Sequence, residues 1–357
     1  MKILEITRSF YPSIGGMEKF VADRLKIYNA LGYDYQVITT THSEKQLSDS
    51  QKLDNVIYLP SYTPYEIVPK LNTAIMQQQY DVISINQTGY YYAVQAAKAA
   101  KRKNKKIVLT PHFLFHTDRF KIVKDFHSKF ILPELLKQVD KIICFTEVEA
   151  DYWKNNFQFV KNKIVIIPHY FNPPAAKEDF SRNKFGKFLL FLGRGEKNKR
   201  IDLLIKAFDK INTDYGLVLT VAKDEISSEL YELVSRNKKI NLLGRVPEEE
   251  KQNLLAFASA LILPTDYEAF GIVNLEASYY SKPLILTELS VFKNILDDEG
   301  VIYFKNNLSD IEKAIKYFFE LDENQKAEMG KVNYNNLQKF SFEKITDKYS
   351  DIFKELK

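Results

Sequence analysis

The sequence predicts an α/β protein of two doubly wound parallel-sheet domains, and three observations carry that reading. Short apolar runs rich in Ile, Val and Leu alternate with longer segments of helical period along the whole chain, as strands covered by helices on both faces require. The 357 residues exceed the size at which a single hydrophobic core keeps growing, so two cores are expected. A proline-bearing break, Pro168-His169-Tyr170-Phe171-Asn172-Pro173-Pro174, separates two alternating arrays and suits a hinge better than an element interior.

In the first array the strands are read at Lys2–Thr7, Tyr35–Thr39, Val82–Ile85, Lys106–Thr110, Lys141–Phe145 and Lys163–Ile167. Helical segments fall between them, such as Met17–Leu31, where Phe20, Val21, Leu25 and Tyr28 recur at three- and four-residue steps. The second array reads Phe188–Leu192, Leu217–Ala222, Ile240–Leu243, Ala260–Pro264, Pro283–Leu286 and Val301–Phe304. The domains are therefore expected at 1–172 and 173–340, facing across a cleft between the carboxyl ends of their strands, the usual ligand position in open α/β sheets.

Composition excludes several classes. With 45% hydrophobic and 27% charged residues the chain sits near the globular average, and no window approaches the apolar run of a membrane span. Met1-Lys2 leads directly into an apolar strand without the pattern of a secretory signal, so a soluble, cytoplasmic protein is expected. The single cysteine, Cys144, lies in the apolar run Ile142–Phe145 and reads as a buried inert thiol. Charge is uneven: residues 1–175 hold 23 Lys+Arg against 16 Asp+Glu, and the remainder 28 against 30. The basic run Lys101–Lys106 and the mixed stretch Arg119–Lys141 read either as solvated helix faces or as surfaces attracted to an anionic membrane or a phosphate-bearing acceptor. No recognised nucleic-acid motif accompanies the charge.

The loops after three strands carry the chemistry. Gly15-Gly16 opens the first helix, where paired glycines either make a tight turn or bring backbone N–H groups close to a phosphate or sugar. The pattern Gly-x-Gly-x-x-Gly is absent there, which removes the main support for a dehydrogenase-type dinucleotide site. After Phe188–Leu192 comes Gly193-Arg194-Gly195-Glu196-Lys197-Asn198-Lys199, where Arg194 offers a planar fork for two phosphate oxygens and Lys199 a mobile point charge. Together they suit a diphosphate, unless the loop is only a solvated basic surface. The third segment, Leu263 to Ala277, contains Glu268 ahead of a helix that starts near Phe270 or Gly271, with Glu276 inside it. Two carboxylates so placed can accept hydrogen bonds from sugar and ribose hydroxyls without a metal. Spacing alone decides nothing, because Glu312/Glu320 and Glu320/Glu328 show the same separation.

These residues together give a family resemblance. Gly15-Gly16, Thr110-Pro111-His112, Gly193-Arg194 with Lys199, Leu243-Gly244-Arg245-Val246, and Glu268-Ala269-Phe270-Gly271 leading to Glu276-Ala277 occur in the order found in glycosyltransferase family 4. The chain resembles that family, the retaining GT-B enzymes, over nearly its whole length. The ending Phe340-Ser341-Phe342-Glu343 is similar to the family's last helix, so 341–357 is expected to cross back onto the first domain.

The resemblance implies a retaining, hexosyltransferase-type enzyme that uses a nucleotide-sugar substrate and no metal or other cofactor. Arg194 and Lys199 would then hold the diphosphate, Glu276 the ribose and Glu268 the transferred sugar. The Phe270, Gly271 and Ile272 amides would meet phosphate, with Arg245 and Val246 also at the donor. His112 would contact the sugar beside the reacting carbon, and Gly15-Gly16 would close on donor or acceptor from the first domain. His112 also stands four residues from His116, a spacing that suits a metal only if helical, and Pro111 argues against a helix. The chain departs from the family at the hinge, where Pro168-His169-Tyr170-Phe171-Asn172 replaces a Pro-Asn-Gly turn. It departs again at Ala222-Lys223-Asp224-Glu225, which replaces a Gly-x-Gly-Pro turn, and at Asn294, where a glutamate is expected. The departures leave two other roles open: a nucleotide-sugar-binding partner of another transferase, and a sugar-nucleotide epimerase of the same fold. Tyr90-Tyr91-Tyr92 and the basic stretch 119–141 point to a glycan or lipid-linked acceptor at the inner membrane face, in surface polysaccharide or glycoconjugate synthesis.

Overall fold

The computed structural model describes residues 1–13, 15–42, 52–62, 67–112, 127–173 and 184–357. The chain divides into two compact units, one formed by Met1–Tyr170 with Phe342–Lys357 and the other by Phe171–Ser341.

The first unit holds β1 (Lys2–Thr7), β2 (Asp34–His42), β3 (Val56–Ser61), β4 (Val82–Asn86), β5 (Lys106–Thr110), β6 (Lys141–Cys144) and β7 (Ile164–Ile166). They form one parallel sheet in the order β3-β2-β1-β4-β5-β6-β7. Ile3, Ile83, Ile85, Ile107, Leu109 and Ile142 are fully buried. Each such side chain contributes about 1.5–3 kcal/mol relative to exposure, which is why an uninterrupted apolar run marks a strand covered on both faces. β2 extends to His42, beyond the expected Thr39, and β3 is not among the expected strands. β3 is an edge strand, only half buried, and carries Pro60, which an edge tolerates because one side of its backbone pairs with nothing. It therefore lacks the continuous apolar run that identifies the others.

The second unit holds β8 (Phe188–Phe191), β9 (Gly216–Leu219), β10 (Ile240–Leu242), β11 (Ala260–Leu263), β12 (Leu284–Thr287) and β13 (Val301–Phe304), again all parallel, in the order β10-β9-β8-β11-β12-β13. In each unit the strand order reverses at one place, between β1 and β4 and between β8 and β11. Loops leaving the carboxyl ends of those strands lie where doubly wound sheets take their ligands.

The closing helix Phe342–Glu355 belongs to the first unit, where it buries Ile345, Tyr349, Ile352 and Phe353. Phe353 meets Tyr28 edge-on at 5.6 Å, so the last helix is packed against the first. Glu320 ends the helix Leu308–Glu320, whereas Glu328 lies on the next one, Glu323–Asn336, so that pair does not share a helix.

The basic segments are mostly accounted for locally. Lys101 and Lys106 approach Asp140 at 3.6 and 3.5 Å, and Lys103 donates to the Met76 and Gln78 carbonyls. In the helix Leu132–Gln138 the apolar residues Leu132, Leu135 and Leu136 face the core, while Lys137 pairs with Glu134 at 2.6 Å. Arg119, Lys121 and Lys124 lie outside the described residues. Tyr92 is fully buried and donates to the Asn86 carbonyl, whereas the half-exposed Tyr90 stacks on it and accepts a hydrogen bond from Arg8 at 3.1 Å. Cys144 is buried, and that burial pushes its thiol pKa far up, leaving it unreactive. Among the described residues no helix is long and apolar enough to cross a membrane.

Candidate active site

Of the second unit's candidate residues, Arg194, Lys199 and Glu268 sit on the two loops at its switch point, Glu276 on the helix that follows, and Arg245 and Val246 after the edge strand β10. After β8 the chain makes a single 3-10 turn, Lys197–Lys199, and Arg200 enters the left-handed region at φ 45° before the helix Ile201–Asp209 begins. After β11 the loop 264–271 runs beside it. The Asp266 N–H and Thr265 hydroxyl donate to the Asn198 carbonyl at 2.7 and 3.2 Å, and Arg200 approaches Asp266 at 3.5 Å. Joined in this way, the loops bring Lys199 Nζ to 2.6 Å from Glu268 Oε2, with both side chains under a fifth exposed.

Gly271 is the cap of the next helix, Ile272–Tyr279, and its φ of +80° is one that glycine adopts without strain. A Cβ there would stand 2.7 Å from Asn274 Nδ2 and 2.9 Å from Phe292. Gly271 has no side chain with which to cap this helix, and the helix dipole favours an anion at this end. Glu276 lies just over one turn inside. Phe270 is buried edge-on to Phe340 at 5.8 Å, a packing contact that holds this end of the loop.

Cations and carboxylates are matched throughout this site. Lys199 pairs with Glu268, Arg194 lies 3.6 Å from Glu196, Arg245 3.2 Å from Glu225, and Lys251 2.9 Å from both Glu276 and Glu248. Arg194 and Arg245 are 65% and 79% exposed, and ion pairs that open to water are worth at most about 1 kcal/mol, so an incoming diphosphate can replace their carboxylates at little cost. Val246 follows, half-buried, after the turn at Gly244.

Two participants are not evident from the sequence. Glu225, within the segment that departs from the family pattern, accepts the Ala222 and Gly195 N–H groups at 3.1 and 3.3 Å, and these bonds with Arg245 hold its carboxyl below the usual range. Gly195 must approach it closely, since a Cβ would lie 2.4 Å from Glu225 Cβ and 2.7 Å from its carbonyl oxygen. Lys251, on the helix Glu248–Phe257, carries no motif either, although it orients the Glu276 carboxylate.

In the first unit Gly15 is extended and precedes the helix Gly16–Ala30. A Cβ at Gly16 would meet nothing within 4 Å. Four residues on, the Phe20 ring meets His112 edge-on at 4.7 Å, and Phe145 meets it at 5.2 Å. His112 has φ 48°, and its Nε2 lies 3.0 Å from Asn86 Oδ1. His116 is outside the described residues. Burial, then the positive Arg24 and then His169, push the His112 pKa well below the ordinary histidine value. His169, packed 4.0 Å from the Phe145 ring, is pushed down to about 3, chiefly by burial.

These neutral histidines give a pH prediction. Between the unfolded value of about 6.5 and the depressed folded value, the unfolded chain binds protons that the folded chain does not, so stability falls as pH drops through that window. The loss approaches about 1.4 kcal/mol per pH unit for each histidine. Urea midpoints measured from pH 7 down to about 4 should decline less steeply for His169→Gln than for the wild type, and parallel declines would contradict this.

Two Rossmann-like units, each with its loops at the switch point, are the architecture of the GT-B class. A model of Glycosyltransferase Family 4 matches residues 14–173, and one of glycosyl transferases group 1 matches residues 174–335. The chain is 26% identical to an uncharacterized glycosyltransferase of Methanocaldococcus jannaschii, over 100% of this chain and 99% of that one. It is 22% identical to the phosphatidylinositol N-acetylglucosaminyltransferase GPI3 subunit of Saccharomyces cerevisiae, over 85% of this chain and 72% of that subunit. Among solved structures, HepE of Anabaena in complex with UDP and glucose superposes with a TM-score of 0.80 at 16% identity, covering 99% of this chain and all of that one. The chain belongs to the glycosyltransferases of the family 4 type, and the protein is a glycosyltransferase.

Proposed function

We propose that the protein moves a hexose-type sugar from a nucleoside diphosphate sugar to a glycan or lipid-linked glycan acceptor, with retention at the anomeric carbon. The observation that carries this reading is the meeting of Lys199 and Glu268 at 2.6 Å, beside the glycine-led start of the helix Ile272–Tyr279. A cation for phosphate and a carboxylate for sugar hydroxyls stand within one donor's reach of each other. The HepE complex, with UDP and glucose bound, supports a donor of this kind. The yeast subunit's name supports a lipid acceptor.

In the proposed step the bond from the anomeric carbon to the diphosphate oxygen breaks, and its electron pair stays on the phosphate. The acceptor hydroxyl oxygen bonds to the same face of that carbon, and its proton passes to the departing phosphate. Arg194, Lys199 and the Phe270–Ile272 amides stabilise the charge that develops there without help from a metal. Glu268 holds the sugar and Glu276 the ribose, while Arg245 and Val246 border the donor. His112 contacts a sugar hydroxyl, and Gly15-Gly16 lets the substrate approach the backbone.

Purified protein should release nucleotide slowly from one of UDP-, GDP- or ADP-glucose or the corresponding N-acetylglucosamine or mannose donors, and the same donor should raise its melting temperature. A protein stabilised by no such donor would not fit the reading. Gly16→Ala should fold normally, since its Cβ meets open space, yet lose at least tenfold in kcat/KM because that space is the substrate's. Wild-type kinetics in that variant would remove Gly16 from the site. Sedimentation with anionic vesicles tests a membrane-borne acceptor, and equal partitioning with neutral vesicles at low salt would count against it.

A further inference from the structure

Beneath His112 lies a group of polar side chains that the proposed reaction does not use. Glu5 of β1, Arg24 of the helix Gly16–Ala30, Asn86 at the end of β4 and Thr110 at the end of β5 are each at most 1% exposed. Arg24 pairs with Glu5 and donates to Thr110 Oγ1 at 2.8 Å and to Asn86 Oδ1 at 2.5 Å. Tyr28 donates to the other Glu5 oxygen at 2.9 Å. Burying a charged pair in this way is costly, and it recurs where it specifies one arrangement.

The chemistry of this group orients the Asn86 amide. Its Nδ2 faces two acceptors, Glu5 Oε1 at 2.6 Å and the Ile6 carbonyl at 2.9 Å, whereas its Oδ1 faces the Arg24 guanidinium. Flipping the amide would set NH2 against a cation and oxygen against a carboxylate, so Oδ1 is the atom that meets His112. An amide oxygen only accepts. The His112 Nε2 at 3.0 Å must therefore carry the ring proton, which leaves the lone pair on Nδ1. A second proton is opposed first by burial between Phe20 and Phe145, then by Arg24 and by His169.

We propose that Asn86 and Arg24 are positioning residues that hold His112 as the neutral Nε2–H tautomer, so that Nδ1 serves only as a hydrogen-bond acceptor toward a hydroxyl of the sugar or of the acceptor. This rests on the reading above in which His112 meets the substrate, and it deepens it. His112 neither donates a proton to the leaving group nor carries charge in the reaction. The substrate must instead present a hydroxyl at that point, and a donor deoxygenated there loses the contact.

The experiment is nitrogen NMR of the full chain labelled at its five histidines, with His112→Gln identifying the signal. The expected result is a protonated Nε2 and an unprotonated Nδ1 at neutral pH, with no titration step near the ordinary histidine value. Asn86→Asp adds a carboxylate and should protonate both nitrogens near neutral pH, giving the kcat/KM profile a new limb there. A wild-type Nδ1–H tautomer, or a doubly protonated ring at pH 7, overturns the proposal without recourse to any variant. An unchanged tautomer in a folded Asn86→Ala protein overturns the positioning role. Full turnover by His112→Gln beside an intact tautomer would show that the substrate contact has failed while the tautomer assignment stands.

Discussion

Replacing Lys199 with alanine lowers kcat for a competent nucleotide-sugar donor by about 10²–10³-fold, the usual cost of removing one preorganised charge from a site where negative charge develops. On the proposed mechanism most of the loss falls in kcat, because Lys199 would answer the charge that the phosphate gains as the glycosidic bond breaks. The side chain is held in place beforehand. Its turn at Lys197–Lys199 is tied to the 264–268 loop by the Asn198 carbonyl, and only 18% of it is exposed. Lys199→Arg should recover part of the rate, since it restores charge in a different shape. Glu268→Gln separates two roles of that carboxylate. If it holds the sugar, the variant loses rate with Lys199 present; if it only parks Lys199 before the donor arrives, the variant binds donor more tightly and keeps its rate. Equal turnover by wild type and Lys199→Ala would remove the residue from the mechanism.

The largest stability effect is expected in the first unit. Glu5→Ala leaves the Arg24 guanidinium, 1% exposed, without its carboxylate, and breaking a buried pair from one side costs about 3–5 kcal/mol. The only tryptophan, Trp153, lies in the same unit, so urea denaturation followed by its fluorescence reports on the affected part. The double variant Glu5→Leu with Arg24→Met removes both charges and should recover only part of the loss, because no buried charge is stranded but Tyr28 and Asn86 lose their acceptor. A single variant as stable as the wild type would mean that the pair is not buried as described.

Much of the fold and site is legible in the sequence because of where the chemistry sits. Strands covered on both faces need unbroken apolar runs, and the loops that follow β8 and β11 announce themselves through Arg194, Lys199 and Glu268. β3 escapes such a reading because a half-exposed edge strand containing Pro60 has no such run. Glu225 and Lys251 escape it for another reason: their partners Gly195 and Glu276 lie 30 and 25 residues away, and only the fold brings them together. Arg24 and Glu5 do leave a trace. Arg24 falls four residues from both Phe20 and Tyr28 on the apolar stripe of its helix, and Glu5 interrupts the strand Ile3–Ile6. Two opposite charges in two buried faces are the signature of a buried pair. Of the tyrosine run only Tyr92 is fully buried, where its hydroxyl donates to the Asn86 carbonyl, a local role that a run of three aromatics does not announce.

The central claim is that the second unit holds a nucleoside diphosphate through Arg194 and Lys199. Isothermal titration of UDP, GDP and ADP into the wild type, Arg194→Ala and Lys199→Ala measures this most directly. One nucleotide should bind the wild type, and each variant should weaken it by at least tenfold, about 1.4 kcal/mol, with smaller differences at high salt. Undiminished binding in both variants, or none of the three nucleotides binding the wild type, would contradict the account.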